Sequence, residues 1–134
     1  MDGCAGPLLR YRRLIDAEEV AILADVKKKH SSHAVTADIS LAESVQGAEF
    51  FGADAVVVTG SATGSAASVI DVEEVRASSS TMPVVIGSGV SEGNWRDYNQ
   101  ADAFIVGSHF KESGDWRSPL SQDRVKQFIR SLST

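Results

Sequence analysis

Four short runs of apolar, largely β-branched residues constrain this chain more than any other feature: Val20 to Val26, Ala53 to Thr59, Pro83 to Ile86 and Ala103 to Val106. None alternates polar with apolar. A strand that is apolar on both faces must be covered on both, as central strands are in a parallel sheet wrapped by helices. The four runs, continuing through Gly87 and Gly107 at the ends of the last two, are read as four central parallel strands with starts near 21, 54, 83 and 103.

The intervening segments carry helix signals. Ser40-Leu41-Ala42-Glu43 is a capping box, and its helix is expected to run to about Phe51 and stop at Gly52. Asp71-Val72-Glu73-Glu74 looks like a second such device, Ser91 with Asn94 is expected to open a helix holding Trp95, and Leu8 to Ile15 suggests a helix before the first strand. Near the end, Val125, Phe128, Ile129 and Leu132 share one helix face, with Ser121 or Gln122 at its start and Arg124, Lys126, Gln127 and Arg130 expected to face water. Ser78-Ser79-Ser80-Thr81 reads as a polar loop. The order is therefore βα repeated four times after a leading helix, in one α/β unit over residues 1–134. Right-handed crossovers leave two architectures: half of a (β/α)8 barrel, or a small open sheet of the flavodoxin kind. A complete barrel takes about 250 residues.

Composition narrows function. Thirteen Lys and Arg against 18 Asp and Glu give a net charge of -5, so no basic field is available for a nucleic acid backbone or an acidic membrane surface. A single cysteine, Cys4, excludes an internal disulfide framework, and no Cys/His spacing suits a metal. No apolar run approaches the roughly 18 residues of a membrane helix, and Met1 to Arg13 lacks the apolar region of a secretory signal. A reducing cytoplasm is expected, without nucleic acid and without membrane insertion.

Glycines mark the candidate site. Gly87-Ser88-Gly89 follows the third strand and Gly107-Ser108 the fourth, both at strand C-terminal ends. In phosphate-binding barrels the last two βα loops offer backbone amides to the anion, and a Cβ would keep it away. The simpler alternative is a tight turn after each strand. After the second strand, Thr59-Gly60-Ser61-Ala62-Thr63-Gly64-Ser65 is a ligand loop, a lid or a solvated connection; it is neither a P-loop nor a dinucleotide fingerprint. At the end of the first strand, Asp25, Lys29 and His30 lie where barrel chemistry occurs, which makes them candidates for acid/base work on a bound ligand. A solvated lysine turn explains the same segment. His33 and His109 are weaker candidates.

Taken together, Ala24-Asp25-Val26 with Lys29-His30, Val58-Thr59-Gly60 with Thr63-Gly64, Pro83 to Val90 with Asn94, and Ala103 to Ser108 with Lys111 and Gly114 resemble the BtpA family. The resemblance covers nearly the whole chain but only the C-terminal half of the family's barrel, which is related to the ribulose-phosphate-binding group. It implies that the four strands are barrel strands five to eight, that Leu8 to Ile15 is the fourth helix, and that Lys111 joins Thr59, Gly60, Thr63 and Gly64 around the ligand. The family takes its name from a factor required for photosystem I biogenesis, and relatives occur outside photosynthesis, so it fixes no reaction and no cofactor. Three expectations follow: a barrel half holding a phosphorylated small molecule on Gly87, Ser88, Gly89, Gly107 and Ser108; a non-catalytic assembly or stability factor; or a self-sufficient open-sheet binding module. With four strands only, the outer two have open edges, expected to pair with a second copy or with a missing N-terminal half.

Overall fold

The computed structural model describes residues 3–28, 30 and 34–133. Helix α1 (Ala5–Leu14) precedes β1 (Leu23–Lys27), α2 (Leu41–Phe50), β2 (Ala55–Val58), α3 (Val69–Ser78), β3 (Val84–Ile86), β4 (Ala103–Phe104) and α4 (Gln122–Ser131). All strand pairs are parallel and their order in the sheet is β1-β2-β3-β4. This is the α/β unit of four successive βα steps expected from the sequence, and it fits half of a (β/α)8 barrel.

The strands are shorter than the apolar runs that announce them. β2 and β3 are wholly buried, whereas β1 and β4 are half-exposed edge strands rather than central ones. Alternation divides their side chains between two faces. Val56, Val58, Val84 and Ile86 join Val45 of α2, Val72 and Val75 of α3 and Phe128 of α4 in the main core. The other face gathers Ala55, Val57 and Val85, and register places Leu23 and Asp25 of β1 beside Ala55 and Val57. In a closed barrel that face is the interior.

Local chemistry explains the helix boundaries. Ser40 and Glu43 form the full capping box, with Ser40 Oγ accepting from Glu43 N at 3.1 Å and Glu43 Oε2 accepting from Ser40 N at 2.8 Å. Gly52 ends that helix with φ +77°. Asp71 does not cap: α3 starts earlier, because the Ser68 hydroxyl accepts from Asp71 N and puts Asp71 inside the first turn. The expected helix around Trp95 is only a 3-10 stretch, Trp95–Tyr98. Asn94 turns back instead of capping it, accepting from Ser91 N at 2.8 Å and donating to Gly89 O at 2.9 Å. Ser121 caps α4 as expected. Arg124, however, leaves the water-facing side and donates to Lys111 O at 2.7 Å.

At the opposite ends of the strands the structure repeats a clamp that the sequence does not announce. Asp54, just before β2, accepts from Ile22 N at 2.7 Å and from Arg12, whose guanidinium also donates to Val20 O. Asp102, just before β4, accepts from Val84 N at 2.7 Å and from Arg76, which also donates to Met82 O and Gln100 O. Each aspartate thus ties its own strand to the start of the preceding one. The backbone donor first and the arginine second hold both carboxyls below the usual aspartate range. A carboxyl whose pKa falls on folding stabilises the native state above its unfolded pKa, and that contribution is lost as pH drops through the folded value. Urea titrations should therefore show stability falling below about pH 4, with a shallower fall in Asp102→Asn. Asp102→Ala leaves the Val84 amide unpaired and should cost about 1–3 kcal/mol at pH 7.

Candidate functional site

The two glycine loops meet at the C-terminal ends of β3 and β4. A cavity of about 220 Å³ is lined by Gly87, Ser88, Gly89, Gly107, Ser108 and Lys111, with Thr63 and Gly64 closing it from the β2 side and Trp116 from the other. A neighbouring cavity of about 350 Å³ shares Thr63, Gly64, Gly89, Gly107, Ser108 and Trp116 with it, and adds His109, Asp115 and Arg124. The two form one cleft with the glycines along its floor.

The floor is built by interlocking backbone. Ser88 is buried, and its hydroxyl donates to Ser65 O at 2.8 Å while accepting from Gly60 N at 2.7 Å. That hydroxyl is therefore spent on holding the β2 loop, which is pinned rather than loosely solvated. Gly89 has φ +68°, and a Cβ there would stand 2.3 Å from Ala66 N. Gly107 differs: a Cβ would meet nothing within 4 Å. Among the described residues, the backbone N–H groups of Ser88, Gly89, Gly107 and Ser108 donate to no protein acceptor, whereas Gly87 N is spent on Val58 O.

The candidates from the first strand stand apart from this cleft. Asp25 lies on the sheet face of Ala55 and Val57, with Thr59 Oγ1 3.5 Å from its carboxylate and 2.5 Å from Lys27 O. His30 has φ +54°; its Nε2 accepts from Thr63 N at 3.2 Å and lies 3.0 Å from the Thr63 hydroxyl. His30 thus touches the cleft only through Thr63. Thr59 and Gly60 line a separate cavity with Lys27, Lys28 and Asp71. Lys29 and His33 lie outside the described residues.

Three cleft residues carry no sequence signal of the kind that reveals a strand or a cap. Trp116 sits in an irregular loop, Asp115 pairs locally with Arg117, and Arg124 occupies a position the helix pattern assigns to water. His109 lines the cleft with its ring against Phe110 and Phe128. Burial lowers its pKa, aided by the charge of Arg124 and opposed by Glu92, and the net shift favours the neutral ring. No group of His, Cys, Asp or Glu among the described residues could hold a metal ion. No helix among them is long and apolar enough to cross a membrane.

Comparison with known proteins agrees along the whole chain. An uncharacterised mitochondrial protein of Caenorhabditis elegans is 48% identical over 134 residues, covering 100% of this chain and 48% of the relative. An uncharacterised protein of Pyrococcus abyssi is 35% identical, covering 100% of this chain and 50% of its own length. The photosystem I biogenesis protein BtpA of Synechocystis is 36% identical, with 99% and 46% covered. The chain spans about half the length of the curated relatives it matches. The family model for the BtpA family matches residues 1–134, and the chain belongs to that family.

Proposed function

We propose that the cleft between the β3 and β4 loops binds the phosphate group of a small phosphorylated metabolite. The observation that carries the reading is the set of four backbone N–H groups, from Ser88, Gly89, Gly107 and Ser108, without acceptors among the described residues, around a cavity that also holds Lys111. Convergent backbone amides form an anion-binding concavity, and an ammonium group beside them adds a point charge. The Ser88 hydroxyl has no part in this; only its amide does. The reading stops at binding, because Asp25 and His30 do not line the cleft. We place this activity in the cytoplasm on the strength of the single exposed Cys4, while the nematode relative's name assigns that protein to mitochondria.

Calorimetry with ribose 5-phosphate and with inorganic phosphate tests the reading. Gly107→Asp puts a carboxylate at the anion position without meeting any neighbour, so binding should disappear while the thermal transition stays within experimental error. Lys111→Ala removes one charged donor and should weaken binding about tenfold. Absence of binding by the unaltered chain, or equal binding by Gly107→Asp, sinks the reading. A second reading, a non-catalytic assembly factor, is favoured by the name of the Synechocystis relative and by the apolar edges of the sheet. It predicts a stable protein complex whose formation is indifferent to Gly107→Asp.

A further inference from the structure

We infer that the metabolite is a phosphate ester that also carries a planar aromatic ring, as a nucleoside monophosphate does, and that Trp116 is the surface on which this ring stacks. The inference rests on the phosphate reading and deepens it. Trp116 is 62% exposed although it is among the largest apolar side chains in the protein, and it lines both cavities of the cleft. Indole left in water at the wall of a polar cleft forgoes burial that a ligand could restore.

The residue is also presented rather than dangling. Asp115 Oδ1 accepts from the Arg117 backbone N–H at 3.0 Å, and Ser118 N donates to Asp115 O at 2.9 Å, closing a tight turn with Trp116 inside it. The Arg117 side chain grips the same carboxylate through Nε and Nη2, and its guanidinium stands 5.8 Å from the centre of the indole. That arrangement stiffens the turn and supplies a cation beside the ring. The distribution of chemistry along the cleft matches a two-part ligand. Free amides and Lys111 occupy the part around Gly107, the indole stands where the two cavities meet, and the larger cavity beyond it has room and polar groups in His109 and Arg124. Stacking on an indole is indifferent to which ring is offered, so the class is a phosphate ester bearing an aromatic base or ring and not one named compound.

AMP and ribose 5-phosphate form a matched pair that differs by the ring alone. Trp116 and Trp95 are the protein's two tryptophans, so ligand-induced quenching that vanishes in Trp116→Ala reports on this position. AMP should bind at least about tenfold more tightly than ribose 5-phosphate, in line with the stacking energy of one base on an aromatic side chain. Trp116→Ala should erase that difference by lowering the AMP affinity to that of ribose 5-phosphate, while Trp116→Phe should restore much of it. If ribose 5-phosphate binds and AMP binds no better, or if Trp116→Ala keeps the preference, the ring inference is overturned and the phosphate site stands. If neither compound binds, the phosphate site itself fails and the ring inference with it.

Discussion

Sedimentation of the 134-residue chain is expected to give a mass above 14.2 kDa that rises with concentration, accompanied by an unfolding temperature that rises with it. The accessible surface is 8629 Å², whereas a compact monomer of this mass exposes about 6,800 Å². The surplus is roughly twice the area of about 800 Å² that one partner buries in a standard interface. Part of the apolar exposure lies at the sheet's two edges. Beside β1, α1 has no buried residue and leaves Leu14 79% exposed, with Tyr11, Ile15, Val20 and Leu23 also in water. Beside β4, Ile105, Leu120, Ile129 and Leu132 are exposed. Open strand edges with apolar flanks recruit another chain.

Charge decides how strong that pairing is between identical copies. A ring of two copies that paired β1 of one with β4 of the other would bring α1 of one towards α4 of the other. Outside the Arg12–Asp54 pair and the Arg124–Lys111 contact, α1 carries Arg10 and Arg13 with no acid, and α4 carries Lys126 and Arg130 against Asp123. Like charges at both seams weaken self-association, so it should be seen at tens of micromolar and fade on dilution. Co-expression with a polypeptide covering the part of the nematode relative that this chain does not match should replace it with a defined one-to-one complex. A monomer whose mass and sharp unfolding transition are indifferent to concentration would show that the four-stranded sheet is self-sufficient, with its edges built to remain edges.

What the sequence discloses about this fold, and what it hides, follows from the range of the forces involved. A fully buried strand discloses itself because its burial needs no partner information: Ala55-Val56-Val57-Val58 is apolar on both faces wherever it sits. The Ser40 cap is equally legible, since both of its partners lie within three residues. Strand length is hidden, because where β1 and β4 stop depends on neighbours across the sheet. The start of α3 goes to Ser68 over Asp71 through a competition between two good capping residues three positions apart, which spacing alone does not decide. The glycine loops are visible as glycines, but the division of labour inside them depends on contacts across more than twenty residues, such as Ser88 with Gly60 and Ser65. Trp116 and Arg124 are hidden for the same reason: an irregular loop has no period, and the helical pattern of α4 has no means of registering a carbonyl at Lys111.

That division of labour has a large expected consequence for stability. Gly89→Ala should lower the unfolding free energy by about 2–5 kcal/mol, while Gly107→Ala should leave it within about 0.5 kcal/mol. At Gly89 two costs add. A φ of +68° is left-handed backbone that an alanine adopts only under strain. The new Cβ would also stand 2.3 Å from Ala66 N and 2.4 Å from Ala66 Cα, and these are backbone atoms that cannot rotate away. Relief requires the β2 loop to move, and that loop is fastened to the same turn through Ser88, Gly60 and Ser65. The strain therefore spreads to both loops of the cleft floor. At Gly107 the φ is −109° and the space is open, so alanine meets neither cost. For a domain of this size the Gly89 variant should unfold about 10 °C lower. Thermal scans of the two variants beside the unaltered chain make the measurement, followed by ribose 5-phosphate titration of Gly107→Ala. Equal stability of the two variants would mean that the loops are not interlocked as described, and the cleft floor would lose the rigidity that holds its four amides in place. A stable Gly107→Ala that binds ribose 5-phosphate poorly would instead separate the two glycines by role, Gly89 shaping the floor and Gly107 leaving room for the anion.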